Sequence, residues 1–194
     1  MRKTSIIIIS ITVLLALIVT ISLITGYNNI IDKDESIKQG YSEIDRRLQQ
    51  RYDTLIPLAE AVNGFQDQER VIYDMITSAR QAYAEAKAND DIQAMIEADA
   101  LQSIALTNLL ALIEDNPNIN SLQAYQTYMD AVWGIESALS EARRQYNNAV
   151  AEYNRYVRKF PGLLYKNLYD FTDEFEYWRV QEGADQIPDI TFGD

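Results

Sequence analysis

Four polar side chains, Glu136, Arg143, Asn147 and Asn154, are separated from the first of them by 7, 11 and 18 residues. At about 100° per residue, those offsets put all four within about 20° of one line along a helix. The apolar positions Leu139, Tyr146, Val150 and Val157 begin about 40° to one side, so the polar line borders an apolar seam. Earlier in the chain, Arg51 falls on an apolar face as well, within about 40° of Ile37 and Leu55. A carboxylate, two guanidiniums and two amides so placed could pair into a structural network that fixes helix register, or line a groove for a partner segment or small ligand. Carboxylates alone could also do acid–base work or hold a divalent cation.

The missing residue types narrow that chemistry. The 194 residues include neither His nor Cys, which removes Ser-His-Asp and Cys-His nucleophilic sites, thiolate zinc sites and disulfides. The Glu-x-x-His motif of di-iron bundles cannot occur either. The expected protein is not an enzyme, with no catalytic residue, metal or cofactor, and an enzyme using Glu and Asp alone is the alternative. A net charge of −12 argues against nucleic acid, whose binding requires clustered Lys and Arg. The pairs Arg46-Arg47 and Arg143-Arg144 are too short to reverse that, and tyrosines at helical spacing, such as Tyr146 and Tyr153, suit a core better than stacking on bases.

The elements that must position these groups begin in a membrane. Residues 4–25 (TSIIIISITVLLALIVTISLIT) contain no charge, Pro or Gly. As a helix they would rise about 33 Å, matching a hydrocarbon core of about 30 Å. The run is longer than the apolar part of a cleaved signal peptide and lacks its small-residue cleavage site, so an uncleaved anchor over 1–26 is expected. Arg2 and Lys3 abut only its N-terminal side, which favours a cytoplasmic N-terminus and an exported remainder.

Beyond the anchor, apolar residues recur every three or four positions, which requires helices. The spacing predicts a first helix from Tyr27 to Val62, running straight out of the membrane, with Pro57 kinking it or starting another and Gly64 ending it. A second helix is expected over 66–88, a turn and N-cap at Asn89-Asp90-Asp91, and a third helix over 92–114 stopped by Asn116-Pro117-Asn118. The last and longest, 121–159, would extend about 58 Å, and only partner helices can bury so long a stripe. The fold class is therefore all-α: an N-terminal transmembrane helix followed by an elongated antiparallel bundle of about four helices over 27–181. An aromatic-rich segment folds back on the bundle, and 182–194 is a loosely ordered tail.

Certain motifs recur in a distinctive order. Gly26-Tyr27-Asn28 is followed by Arg51, Leu55-Ile56-Pro57, Val62-x-Gly64-Phe65, Glu69 and Ala79-Arg80. Then come Glu114-x-Asn116-Pro117, Glu136, Ala142-Arg143-x-x-Tyr146-Asn147-x-Ala149-Val150-x-x-Tyr153-Asn154 and Phe160-Pro161. In this series the chain resembles the LemA family of bacterial membrane proteins over roughly residues 26 to 178. Thr54 and Leu58 stand where relatives usually carry Asp and Asn, Asn116 where Tyr is common, and Ser137-Ala138 where Asn-Arg is usual. Thr25 replaces the lipobox Cys of some relatives, which removes lipidation but keeps the implied outward orientation. The resemblance implies a membrane anchor and a helical bundle, without a defined biochemical activity. It adds Glu69 and Arg80 to Arg51, Glu136, Arg143, Asn147 and Asn154 as the candidate polar stripe or structural network.

The function expected from these features is that of a single-pass interaction or scaffold module at the bacterial cell envelope. An accessory subunit of a larger membrane complex is a further alternative. The expected partners are the bilayer, through residues 4–25, and a protein, a second copy of the chain being one candidate.

Overall fold

In the computed structural model, residues 2–61, 68–114 and 123–179 are described. They form five helices and, among the described residues, no strand: α1 (Arg2–Ala61), α2 (Gln68–Ala88), α3 (Ile92–Glu114), α4 (Gln123–Arg158) and α5 (Gly162–Tyr169). The all-α class and the register of the expected helices hold. The anchor and the first bundle helix are one 60-residue helix, as expected. Pro57 lies inside that helix and neither ends it nor begins another, because burial of Leu55 and Ala59 on either side outweighs one lost backbone hydrogen bond near the helix end. The short α5 was not expected as a helix. Gly64, the Asn116-Pro117-Asn118 stop and the tail 182–194 lie outside the described residues.

The chain forms two compact units, Met1–Gly40 with Gln145–Tyr177 and Tyr41–Arg144 with Trp178–Asp194. In the second unit, α1 from Tyr41, α2, α3 and α4 up to Arg144 enclose an apolar core that includes Leu55, Ile76, Leu109, Ile113, Met129 and Val132. The expected cap between α2 and α3 is present: the Ala94 N–H donates to Asp91 Oδ1 at 3.0 Å, and Asp90 takes a left-handed conformation (φ 53°) in the turn. Asp45 on α1 ties down the end of α2, accepting from the Tyr83 hydroxyl at 3.0 Å and from Lys87 Nζ at 2.7 Å.

In the first unit, the Ile, Leu and Val side chains from Ile6 to Ile24, apart from the half-buried Leu23, are 52–62% exposed around the helix. An all-round apolar, unburied surface of this length suits lipid rather than water. Helix α3 is also apolar enough to cross a membrane, but most of its residues are buried in the second unit, so it is a core helix. Further along α1, a Cβ on Gly40 would lie 2.9 Å from Tyr146 Cα, so glycine there lets the backbones of α1 and α4 approach closely. Ile30, Ile37, Tyr146, Val150, Tyr153 and Val157 are buried. The segment after α5 folds back as expected: Tyr153 and Tyr146 donate to the carbonyls of Thr172 (2.7 Å) and Glu176 (3.0 Å).

Candidate functional site

The second unit holds a buried ionic cluster centred on Asp99. Helix α3 carries Asp99 on its core side, in a buried row with Met95, Gln102, Ser103 and Leu106. From α1, the fully buried Arg51 sends Nη2 to Asp99 Oδ1 (2.7 Å) and to the Asp99 carbonyl (3.1 Å). Its Nε donates to Gln102 Oε1 (2.8 Å), and its Nη1 donates to Glu136 Oε1 (3.0 Å) and Ser103 Oγ (3.3 Å). From α4, Arg143 Nη2 reaches both Asp99 oxygens at 2.7 and 2.6 Å. Trp178, 2% exposed, donates its indole N–H to Asp99 Oδ2 at 3.0 Å.

The charges balance, two guanidiniums against two carboxylates, which a buried site needs if its ions are to stay ionised. Burial alone would raise the Asp99 pKa, but Arg51 and Arg143, with the Trp178 and Arg143 hydrogen bonds, hold it below the usual carboxylate value. For Arg51, burial opposes the charge, and the Asp99 and Glu136 carboxylates more than restore it, so its pKa is raised. Three buried polar atoms, Arg143 Nε, Gln102 Nε2 and the Tyr52 hydroxyl, lack a hydrogen-bond partner among the described residues. Each such atom costs desolvation without return.

The structure brings Arg51, Glu136 and Arg143 together. Asn154 lies elsewhere, in the first unit, where it clamps the backbone of Phe175: Nδ2 donates to the carbonyl and Oδ1 accepts from the amide, both at 2.9 Å. Asn147 is half-buried on the same helix. Arg80 stays outside the cluster, exposed, with its guanidinium 5.8 Å from the centre of the Tyr52 ring. The Glu69 side chain lies outside the described residues. Asp99, Gln102 and Trp178 were missed by sequence reasoning. Asp99 had a visible signal, the one acid on the helical line through Met95, Gln102 and Leu106. Among the described residues, no group of three or more acidic side chains converges as a metal site would require.

Over 99 residues, the chain is 29% identical to magnetosome proteins MamQ 1 and MamQ 2 of Paramagnetospirillum magneticum, and 27% identical to MamQ of Magnetospirillum gryphiswaldense. The aligned region is 51% of this chain and 36% of each relative, so the chain spans little more than a third of their length. A family model matches far more, residues 40–192, a range that includes Arg51, Asp99, Glu136, Arg143 and Trp178. With the apolar N-terminal helix, these matches make the chain a membrane-associated helical protein, and the extent of the family match shows that it belongs to the LemA family.

Proposed function

We propose that this protein is a non-enzymatic interaction or scaffold module of the bacterial cell envelope, held by one transmembrane helix, with its N-terminus in the cytoplasm and its bundle outside. The observation that carries this reading is an apolar face left open on the α2–α3 hairpin. There Val71 is 59% exposed, and Leu101 and Ile104 are each 46% exposed. Val71, Met75, Ala79 and Leu101, with Asp74 and Ser78, line a shallow cleft of about 310 Å³. Exposed apolar surface beside a well-filled core marks a contact site more often than a reaction site. The buried cluster supports the same reading, because its charges satisfy one another rather than facing a substrate.

A photoreactive residue at Leu101 of the full chain in native membranes should give one discrete heavier adduct, whereas the same residue at exposed Asp130 on α4 should give none. Two differently tagged copies would tell a second copy of the chain from another protein. No adduct from Leu101, or equal yield from both positions, would overturn the interaction reading. The orientation rests on Arg2 and Lys3 beside the span. A reporter fused after Asp194 that works only once exported should be active, and activity of a cytoplasm-only reporter would reverse the topology.

A further inference from the structure

We propose that α5 and the turn before it form a second membrane contact, an interfacial element that buries leucines among acyl chains and grips an anionic phospholipid headgroup. The inference rests on the span crossing a bilayer, not on the scaffold reading. All its residues belong to the first unit. The Tyr165 hydroxyl hydrogen-bonds Ser22, which lies inside the apolar run, and Tyr165 packs so closely on Gly26 that a Cβ there would fall 2.1 Å from its ring. Helix α5 is therefore pinned at the level of the span's last turn. Tyr27, just past that turn, stacks edge-on against Tyr169 at 4.9 Å and leans on Phe171 at 5.7 Å. Aromatic side chains of this kind collect at the headgroup level of bilayers.

With Tyr165 spent on α1, α5 still exposes its three leucines. Leu163, Leu164 and Leu168 are 45%, 52% and 56% exposed, and Phe160 in the preceding turn is 84% exposed. In water such a face would be a liability, but beside a transmembrane helix it continues a surface that already meets lipid. The charge agrees. From Arg155 to Lys166 this acidic protein carries Arg155, Arg158, Lys159 and Lys166 and no acidic residue; Arg158 pairs with Glu174 at 3.5 Å and Lys166 with Asp173, so the headgroup contact falls to Arg155 and Lys159. Arg155 and Lys159 join Lys33, Tyr156 and Phe160 around a cleft of about 370 Å³, whose one acid, Glu152, lies 3.4 Å from Lys33. Cations above an apolar edge at the membrane surface match a phospholipid phosphate with its acyl chains below.

Because the chain contains no cysteine, single labels are straightforward. The full chain, carrying an environment-sensitive fluorophore on Leu164→Cys or on Leu168→Cys, is reconstituted in vesicles of phosphatidylcholine with about one third phosphatidylglycerol. Asn148→Cys, exposed on α4, serves as the control. Chain-brominated lipid should quench the α5 labels roughly threefold more than the control label, as expected for side chains buried about 5–10 Å into the interface. Brominated phosphatidylglycerol should quench more than an equal fraction of brominated phosphatidylcholine, an excess that Arg155→Gln with Lys159→Gln, or high salt, removes. Vesicle flotation reports the span separately: a protein that fails to float refutes the anchor. A floating protein whose α5 labels are quenched no more than the control overturns the interfacial contact, and quenching without preference for phosphatidylglycerol overturns the headgroup site.

Discussion

Asp99→Asn should lower the stability of the full chain in mild detergent by about 3–5 kcal/mol, because it leaves Arg143 buried beside a neutral amide and Arg51 with Glu136 as its remaining counter-charge. The denaturant midpoint measures this. Replacing Arg51, Asp99, Glu136 and Arg143 together with Met, Leu, Gln and Met should cost less than the single change, since no buried ion is then stranded by the loss of its partner. The same cluster sets an acid limb. The Asp99 carboxyl sits below its ordinary value in the folded state, so the unfolded chain takes up that proton first as pH falls. Its contribution is complete above about pH 4 and is lost as pH drops through the depressed folded pKa. The Asn variant should show a shallower loss than the parent over that range. Parallel loss in both proteins would mean that Asp99 is not the group that titrates.

Trp178→Ala should cost about 3–5 kcal/mol, the usual range for emptying a buried indole site. Trp178→Phe keeps most of the ring and removes the N–H donor to Asp99, and should cost about 1 kcal/mol. Limited proteolysis offers an independent check: the segment 171–179 is held by side-chain hydrogen bonds from Tyr153, Asn154 and Tyr146 and by the Trp178 indole. Cleavage there should speed up in the Ala variant and barely change in the Phe variant. If Trp178→Ala were silent in both assays, the indole would be a cover on the cluster rather than part of it.

Helical periodicity made four of the five helices and most core positions legible, because burial of one face repeats every three or four residues however the helices are arranged. Which of the two expected outcomes Pro57 produces, a continuing helix or a new one, was not legible. A proline's local penalty is read from the sequence, but the tertiary burial of Leu55 and Ala59 that outweighs it is not. Helix α5 escaped because eight residues span little more than two turns, too short for a period to emerge among so many aromatics. In the cluster, the helical line through Glu136 and Arg143 pointed to an apolar seam, and Arg51 lay on an apolar face. Their shared carboxylate did not emerge, since Asp99 lies on a different helix and apolar periodicity passes over the single acid in a row. Asn154, on the same line, serves other surroundings, because a helical line fixes direction and not the neighbour met at each height.

The Asp99 cluster also has a consequence for the order in which the chain assembles. Its carboxylate meets groups 48 residues earlier and 44 and 79 residues later in the chain. The α2–α3 hairpin is local and can close as soon as it has been synthesised, whereas such distant pairings carry the entropy of long loops. When synthesis runs from the N-terminus, Asp99 and Arg51 exist well before Arg143, and Trp178 comes last. A nascent hairpin must therefore keep that carboxylate hydrated until α4 arrives, and the ionic cluster can seal only around a nearly finished chain.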